Sequence, residues 1–154
     1  MEEKKKSMTK DEMIMELMEL LKANGRPKQA ADVFESAAYV DMLESKLDQM
    51  TSELVQMRKE LQEMKEQQAS KSLKETLSEM ARCQQMKEKL FEAKEEMHNK
   101  AAEIVKSVKQ KGKEALNKVS EFFGVKKKLE SIRENVCEGI VETDQTVTRH
   151  FVVD

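Results

Sequence analysis

The chain has 154 residues, of which 38% are charged, 38% hydrophobic and 4% aromatic, with four glycines and one proline. So few glycines and prolines cannot form the turns of a β-sandwich, a barrel or a doubly wound sheet, and the abundance of Glu, Lys, Leu, Met and Ala predicts an elongated all-α fold. The formal net charge of −2 excludes a whole-molecule attraction to nucleic acid or another polyanion.

The N-terminal region is predicted to be a flexible leader followed by a short helix. Residues 1–8 are rich in charge and carry no apolar stretch, so we expect them to be mobile. Thr9 and Glu12 have the spacing of a capping box, which predicts a helix that begins directly after Thr9.

This first helix is predicted to end at a sharp turn, so that residues 9–26 form a helix and a turn. Asn24 and Gly25 are typical of a left-handed C-terminal cap. Pro27 disfavours helix at the residue before it and is well suited to begin the next helix. We expect the first helix and this turn to form a small head that packs against Val33, Phe34 and Tyr39.

The second predicted helix, residues 27–69, carries four uninterrupted heptads of apolar residues. Such a strict two-in-seven pattern is typical of a coiled coil and must pack against another helix. These candidate protein-interaction residues are called the heptad stripe below: Val40, Leu43, Leu47, Met50, Leu54, Met57, Leu61 and Met64.

The partner of the heptad stripe is left open by the sequence. The same stripe can pair with a later helix of this chain in an antiparallel hairpin, with a second copy or with another protein. The charged residues beside the stripe are compatible with both orientations of the paired helices. Glu53 can meet Arg58 in a parallel dimer, and Lys46 can face Glu60 in an antiparallel pair. Exposed pairs of this kind contribute only a few tenths of a kcal/mol, so charge does not decide the orientation.

The third predicted helix is long and amphipathic and extends over residues 70–139. Ser72 and Glu75 have the spacing of a second capping box at its start. Gly112 interrupts the apolar pattern and is expected to be a tolerated kink inside this helix. Residues 140–154 are rich in Val and Thr, so we expect them to form an extended tail.

A basic segment, residues 100–128, lies inside this third helix and has nine basic and three acidic residues. We favour a solvated helix face packed on the acidic second helix, because residues 32–66 carry nine acids and four bases. Two alternatives are contact with anionic lipid and contact with nucleic-acid phosphates without base specificity. The candidate polyanion contacts are Lys106, Lys109, Lys113, Lys118, Lys126, Lys127 and Lys128.

Residue combinations that carry catalysis are nearly absent from the sequence. Two histidines, neither beside an obvious nucleophile, give no basis for an acyl-transfer triad. Glu95 and His98 repeat half of a di-iron motif, but the second copy is missing, so we expect a surface pair. Cys83 and Cys137 lie outside any CxxC pattern and are expected to be free thiols in the cytoplasm. We therefore predict no enzyme, no cofactor, no metal and no small-molecule substrate.

The segment from Met8 to about Leu61 resembles a family of helical proteins encoded on conjugative and other mobile elements of gut Firmicutes. The resemblance is centred on the turn Ala23-Asn24-Gly25-Arg26-Pro27-Lys28-Gln29-Ala30-Ala31. The resemblance implies a genomic setting, in which small proteins often bind a host or element protein. It implies no mechanism.

The function predicted from these observations is non-enzymatic interaction or scaffolding through the heptad stripe. An accessory protein or inhibitor that binds a host protein is compatible with the implied setting. The alternative is an accessory protein that associates with nucleic acid or an anionic membrane surface through the basic segment.

Overall fold

The computed structural model describes residues 7–63, 67–123, 129–130 and 132–134. In these ranges the regular secondary structure is helical and contains no strand, which confirms the all-α fold. The elements are a 3₁₀ helix at Met8–Lys10, α1 at Glu12–Ala23, α2 at Pro27–Gln62, α3 at Gln67–Lys111, a second 3₁₀ helix at Lys113–Lys118 and α4 at Val119–Phe122.

Helix α1 begins at a different cap from the one that the sequence predicts. Asp11 is the N-cap, and its carboxylate accepts hydrogen bonds from the backbone N–H groups of Met13 and Ile14. The prediction of Thr9 as the cap is wrong because the Thr9 hydroxyl hydrogen-bonds to the Asp41 carboxylate instead. Either residue type can cap a helix, so local pattern alone did not distinguish them.

The turn after α1 has the predicted left-handed cap. Gly25 has a φ of 72°, which favours glycine, and the side-chain amide of Asn24 donates to the Leu20 carbonyl at 2.7 Å. The backbone N–H of Arg26 donates to the Leu21 carbonyl at 2.8 Å, which completes the end of α1. Pro27 is the first residue of α2, as predicted.

The chain divides into two compact units, each of which contains part of α2 and part of α3. Of the described residues, unit 1 contains 7–42, 90–123 and 129–130. Its core is built from apolar residues at helical spacing on all of its long helices. The principal core residues are Ile14, Leu17 and Leu21 of α1, Ala30, Val33, Ala37 and Val40 of α2, Leu90, Ala93, Met97, Ala101, Ile104 and Val105 of α3, and Leu116, Val119 and Phe122.

Unit 2 contains the described residues 43–63, 67–89 and 132–134. Because only residues 63–66 connect α2 to α3, these parts of the two helices form an antiparallel αα-hairpin. An ion pair joins them, with 3.3 Å between Lys87 Nζ and the Asp48 carboxylate. Of the arrangements that the sequence left open, unit 2 has the hairpin within one chain.

Helix α3 is shorter than predicted and starts earlier. It begins at Gln67, so Ser72 lies within the helix and is not its cap. It ends at Lys111, because Gly112 has φ 95° and ψ 179°, a conformation that is essentially restricted to glycine. A single helix over 70–139 is therefore wrong. The predicted tail, 140–154, lies outside the described residues.

Two expectations about the N-terminal region also differ from the structure. Residues 1–6 lie outside the described ranges, but Ser7 and Met8 are held in place, and Met8 is 3% exposed. The predicted leader is therefore wrong at these two positions, since both hydrogen-bond to Asp41. Phe34 was expected under the head, yet its side chain is 46% exposed.

Candidate binding surfaces

The heptad stripe lies in the interior of the single chain. Its seven members from Val40 to Leu61 are at most 5% exposed, whereas the side chain of Met64 lies outside the described part. In unit 2 the stripe shares its core with Cys83 and Met86 of α3. Burial of this kind gives the stripe a role in folding. A second protein could reach it only if the hairpin opened, and its pairing with a partner stays a prediction.

The apolar half of the basic segment is also buried. Val105 of α3 and, beyond Gly112, Leu116 and Phe122 are at most 3% exposed in the core of unit 1. A helix that lies in a membrane surface needs a free apolar face to insert between lipids. The described part of this segment therefore presents its lysines and not its apolar residues.

The candidate polyanion contacts are largely at the surface where the structure describes them. Lys106, Lys109 and Lys113 are exposed and Lys118 is half-buried, whereas residues 126–128 lie outside the described ranges. Lys109 Nζ lies 2.9 Å from the Glu16 carboxylate of α1. Lys109 of the basic segment thus pairs with α1. Such an exposed pair adds little stability and is readily exchanged for another anion.

A contact between the turn at Asn24-Gly25-Arg26-Pro27, called the NGRP turn below, and the second 3₁₀ helix was not predicted. The Arg26 guanidinium donates to the Asn117 side-chain oxygen at 2.7 Å and to the Gln29 side-chain oxygen at 3.3 Å. The two partners of the first bond are 91 residues apart in the chain. Local pattern contains no information on such a distant pair, although the charge of the turn itself, Lys22 to Lys28, was visible in the sequence.

Asp41 holds the first 3₁₀ helix against α2. Its carboxylate accepts from the backbone N–H groups of Met8 at 2.7 Å and Thr9 at 3.3 Å, and from the hydroxyls of Ser7 at 2.6 Å and Thr9 at 3.0 Å. Burial raises the pKa of Asp41, but hydrogen bonds from Ser7, Met8 and Thr9 outweigh it, so this pKa lies below its ordinary value. The carboxylate acts as a cap for N–H groups that the short helix cannot satisfy itself.

His98 is engaged by α1 and is not paired with Glu95. The second oxygen of the Asp11 carboxylate lies 2.8 Å from His98 Nδ1, so the cap of α1 also ties this helix to α3. Within the ranges that the structure describes, no three His, Cys, Asp or Glu side chains are arranged to hold a metal ion. The histidine therefore contributes to the packing of unit 1.

Cys83 is a buried thiol in unit 2, with 2% of its surface exposed. Burial raises the pKa of this thiol, and the nearby Glu79 carboxylate raises it further. A thiol with a raised pKa and little access to solvent is a weak nucleophile. Cys83 therefore behaves as the small apolar group that the sequence predicts, and Cys137 lies outside the described ranges.

Five large apolar side chains remain at the surface of the described part. Phe91 is 59% exposed, Phe34 and Met15 are each 46% exposed, and Leu77 and Met42 are 45% and 42% exposed. All but Leu77 belong to unit 1. Exposed aromatic rings are more informative than exposed aliphatic chains, because aromatic residues are enriched in protein–protein interfaces.

In the described part of the chain, no helix combines the length and the apolar character that crossing a membrane requires.

Comparison with known proteins gives a family but no activity. Neither the curated proteins nor the solved structures contain a match to this chain. The model of a family of unknown function, DUF6674, matches residues 10–150, and the chain therefore belongs to this family.

Proposed function

We propose that this chain is a non-enzymatic interaction or scaffold protein that binds another protein through the outer surface of unit 1. The observation that carries the proposal is the exposure of two aromatic rings, Phe34 and Phe91, on unit 1, where Met15 and Met42 are exposed as well. Removing such a ring from water on binding is worth about 1.5–3 kcal/mol. The heptad stripe then serves to build the hairpin, and the exposed rings serve the partner.

The resemblance of Met8–Leu61 to mobile-element proteins supports a setting for this interaction. In that setting the chain is an accessory protein or inhibitor in the cytoplasm, and its partner is a protein of the host or of the element. The proposal does not depend on this setting, because the exposed rings are a property of the chain itself.

The direct test is affinity capture from the native host with the full chain as bait. A Phe91→Ser variant should reduce recovery of the specific partner by about tenfold, since central aromatic contacts often contribute more than 1 kcal/mol. Leu77→Ser is the matched control, because it removes an apolar side chain of similar exposure from unit 2. Equal recovery with wild type and Phe91→Ser, in a variant that melts like wild type, would reject this surface.

A second candidate function is binding to a polyanion through the described lysines of the basic segment. The observation that favours it is the burial of the segment's apolar half, which leaves Lys106, Lys109 and Lys113 in solvent. Mobility-shift assays with DNA and RNA and flotation with anionic liposomes, each at several salt concentrations, test it. Affinity that does not fall with salt would exclude contact with phosphates.

A further inference from the structure

Two basic stretches that are far apart in the chain meet in unit 1. Residues 22–28 contain three basic residues and no acid, and residues 111–118 contain three basic residues and one acid, Glu114. The hydrogen bond from Arg26 to Asn117, at 2.7 Å, joins the two stretches. Every residue in them lies within six positions of this bond, so each Cα lies within roughly 20 Å of it.

The side chains of these stretches are available to an external anion. Lys22, Lys28, Lys111 and Lys113 are exposed, and Arg26 and Lys118 are half-buried. Among the residues that the structure describes, no carboxylate forms an ion pair with any of these five lysines. We call the six basic residues the turn surface: Lys22, Arg26, Lys28, Lys111, Lys113 and Lys118.

The chemistry of the turn surface fits a row of phosphates. Duplex DNA carries about one negative charge for each 1.7 Å of its axis, so basic residues within roughly 20 Å of one point can contact several phosphates at once. Positive side chains suffice for contacts that position a nucleic-acid backbone without reading its bases. The half-buried Arg26 is already oriented by its bonds to Gln29 and Asn117, which lowers the entropy lost on binding.

A lipid surface fits the same residues less well. Stable attachment to a membrane usually combines basic residues with an inserted apolar group. Of the large exposed apolar side chains in the described part, none belongs to residues 22–28 or 111–118. Leu116, which lies within the second stretch, is fully buried. The turn surface thus offers charge without an apolar anchor.

We propose that the turn surface is a single binding site for the phosphate backbone of nucleic acid. Residues 22–28 and residues 111–118 each supply three of its six basic residues. This inference rests on the second candidate function and deepens it, because it selects nucleic acid over lipid and adds four residues to the site: Lys22, Arg26, Lys28 and Lys111. The site recognises charge and spacing and not base sequence.

The test measures binding of the full chain to a 20-base-pair duplex by fluorescence anisotropy between about 50 and 200 mM salt. Two variants each remove charge from one half of the site: Lys22→Gln with Lys28→Gln, and Lys111→Gln with Lys113→Gln. Both leave the Arg26–Asn117 bond in place. Each should weaken binding by about tenfold and lower the slope of log affinity against log salt by about 2.

A control variant distinguishes local contacts from net charge. Lys74→Gln with Lys89→Gln makes the same change in charge on exposed lysines of unit 2 and should bind within about twofold of wild type. Thermal melting of every variant shows that the fold is retained.

Three outcomes would overturn the proposal in different ways. The composite site is rejected if the Lys22→Gln, Lys28→Gln variant binds the duplex like wild type and only the Lys111→Gln, Lys113→Gln variant loses affinity. The second candidate function would then still stand. Absence of duplex binding by wild type at the lowest salt rejects the proposed site. If RNA and anionic liposomes also fail to bind in the assays given above, the second candidate function is rejected as well. Tighter binding to phosphatidylserine vesicles than to the duplex, measured at equal salt, would show that the ligand of the site is an anionic lipid surface and not nucleic acid.

Discussion

At the scale of single residues, Asp41 shows how a carboxylate on a long helix can order a segment that is remote in the sequence. It accepts four hydrogen bonds from Ser7, Met8 and Thr9, which lie 32 to 34 residues before it. The sequence predicted a mobile leader up to residue 8, because nothing local indicates that Asp41 satisfies the free N–H groups there. A Ser-x-Thr pattern before a helix is compatible with a local cap or a distant one.

Replacing this carboxylate should weaken unit 1. Asp41→Asn keeps the size of the side chain but removes the charge and one acceptor oxygen, so we expect the free energy of unfolding to fall by about 1–2 kcal/mol. Urea denaturation followed by circular dichroism measures the change. Asp32→Asn, on an exposed position of the same helix, should be nearly neutral. An equal effect of both variants would contradict the role given to Asp41.

The effect of Asp41 should depend on pH in one direction. The pKa of Asp41 in the folded chain is lowered, because hydrogen bonding outweighs burial. The stability that Asp41 contributes to the fold is therefore complete above its pKa in the unfolded chain. It is lost as the pH falls through the lowered folded pKa. The difference in unfolding free energy between wild type and Asp41→Asn should therefore narrow in acid, and a difference that widened in acid would contradict this assignment.

At the scale of elements, the turn between α1 and α2 was predicted from local chemical signals, whereas the starts of α1 and α3 and the end of α3 were not. The end of α1 and the start of α2 follow from Asn24, Gly25 and Pro27. The end of α3 does not follow, because glycine inside a helix costs only about 1 kcal/mol and is often tolerated. Burial of Leu116 and Phe122 after Gly112 accompanies the change of direction that ends the helix.

Gly112 gives a direct test of this ending. Gly112→Ala meets no neighbouring atom within 4 Å, so the cost comes from the backbone at φ 95° alone. We expect the variant to lose about 1–3 kcal/mol of stability in thermal or urea unfolding. Lys111→Ala, one residue earlier and within α3, should change stability by less than about 0.5 kcal/mol. A neutral Gly112→Ala variant would mean that α3 can continue through this position.

The heptad stripe provides the matching test of the hairpin in unit 2. Leu54→Lys places a charge at a fully buried position and should reduce the free energy of unfolding by about 3–5 kcal/mol. Glu53→Lys, at the exposed neighbouring position, is the control and should have little effect. Circular dichroism melts of both variants measure the difference. Equal melting temperatures would show that the stripe is not in the core.

At the scale of the whole molecule, the sequence predicted that the stripe needs a helical neighbour but could not choose the neighbour. The same apolar spacing serves a hairpin, a dimer or a complex with another protein. The short connection at residues 63–66 and the Lys87–Asp48 ion pair belong to the hairpin. The turn surface was beyond sequence analysis for a related reason, since its halves meet only after the chain has folded. A family of unknown function adds no activity that could have identified it.

This chain covers its own heptad stripe, and thermal melting at several concentrations combined with light scattering tests this directly. We expect a molar mass of 17.8 kDa and a melting temperature that does not change over about a hundredfold range of concentration. A stripe that pairs between chains would give a mass near a multiple of this value and a melting temperature that rises with concentration. That result would show that the stripe is covered by a second chain and not by α3.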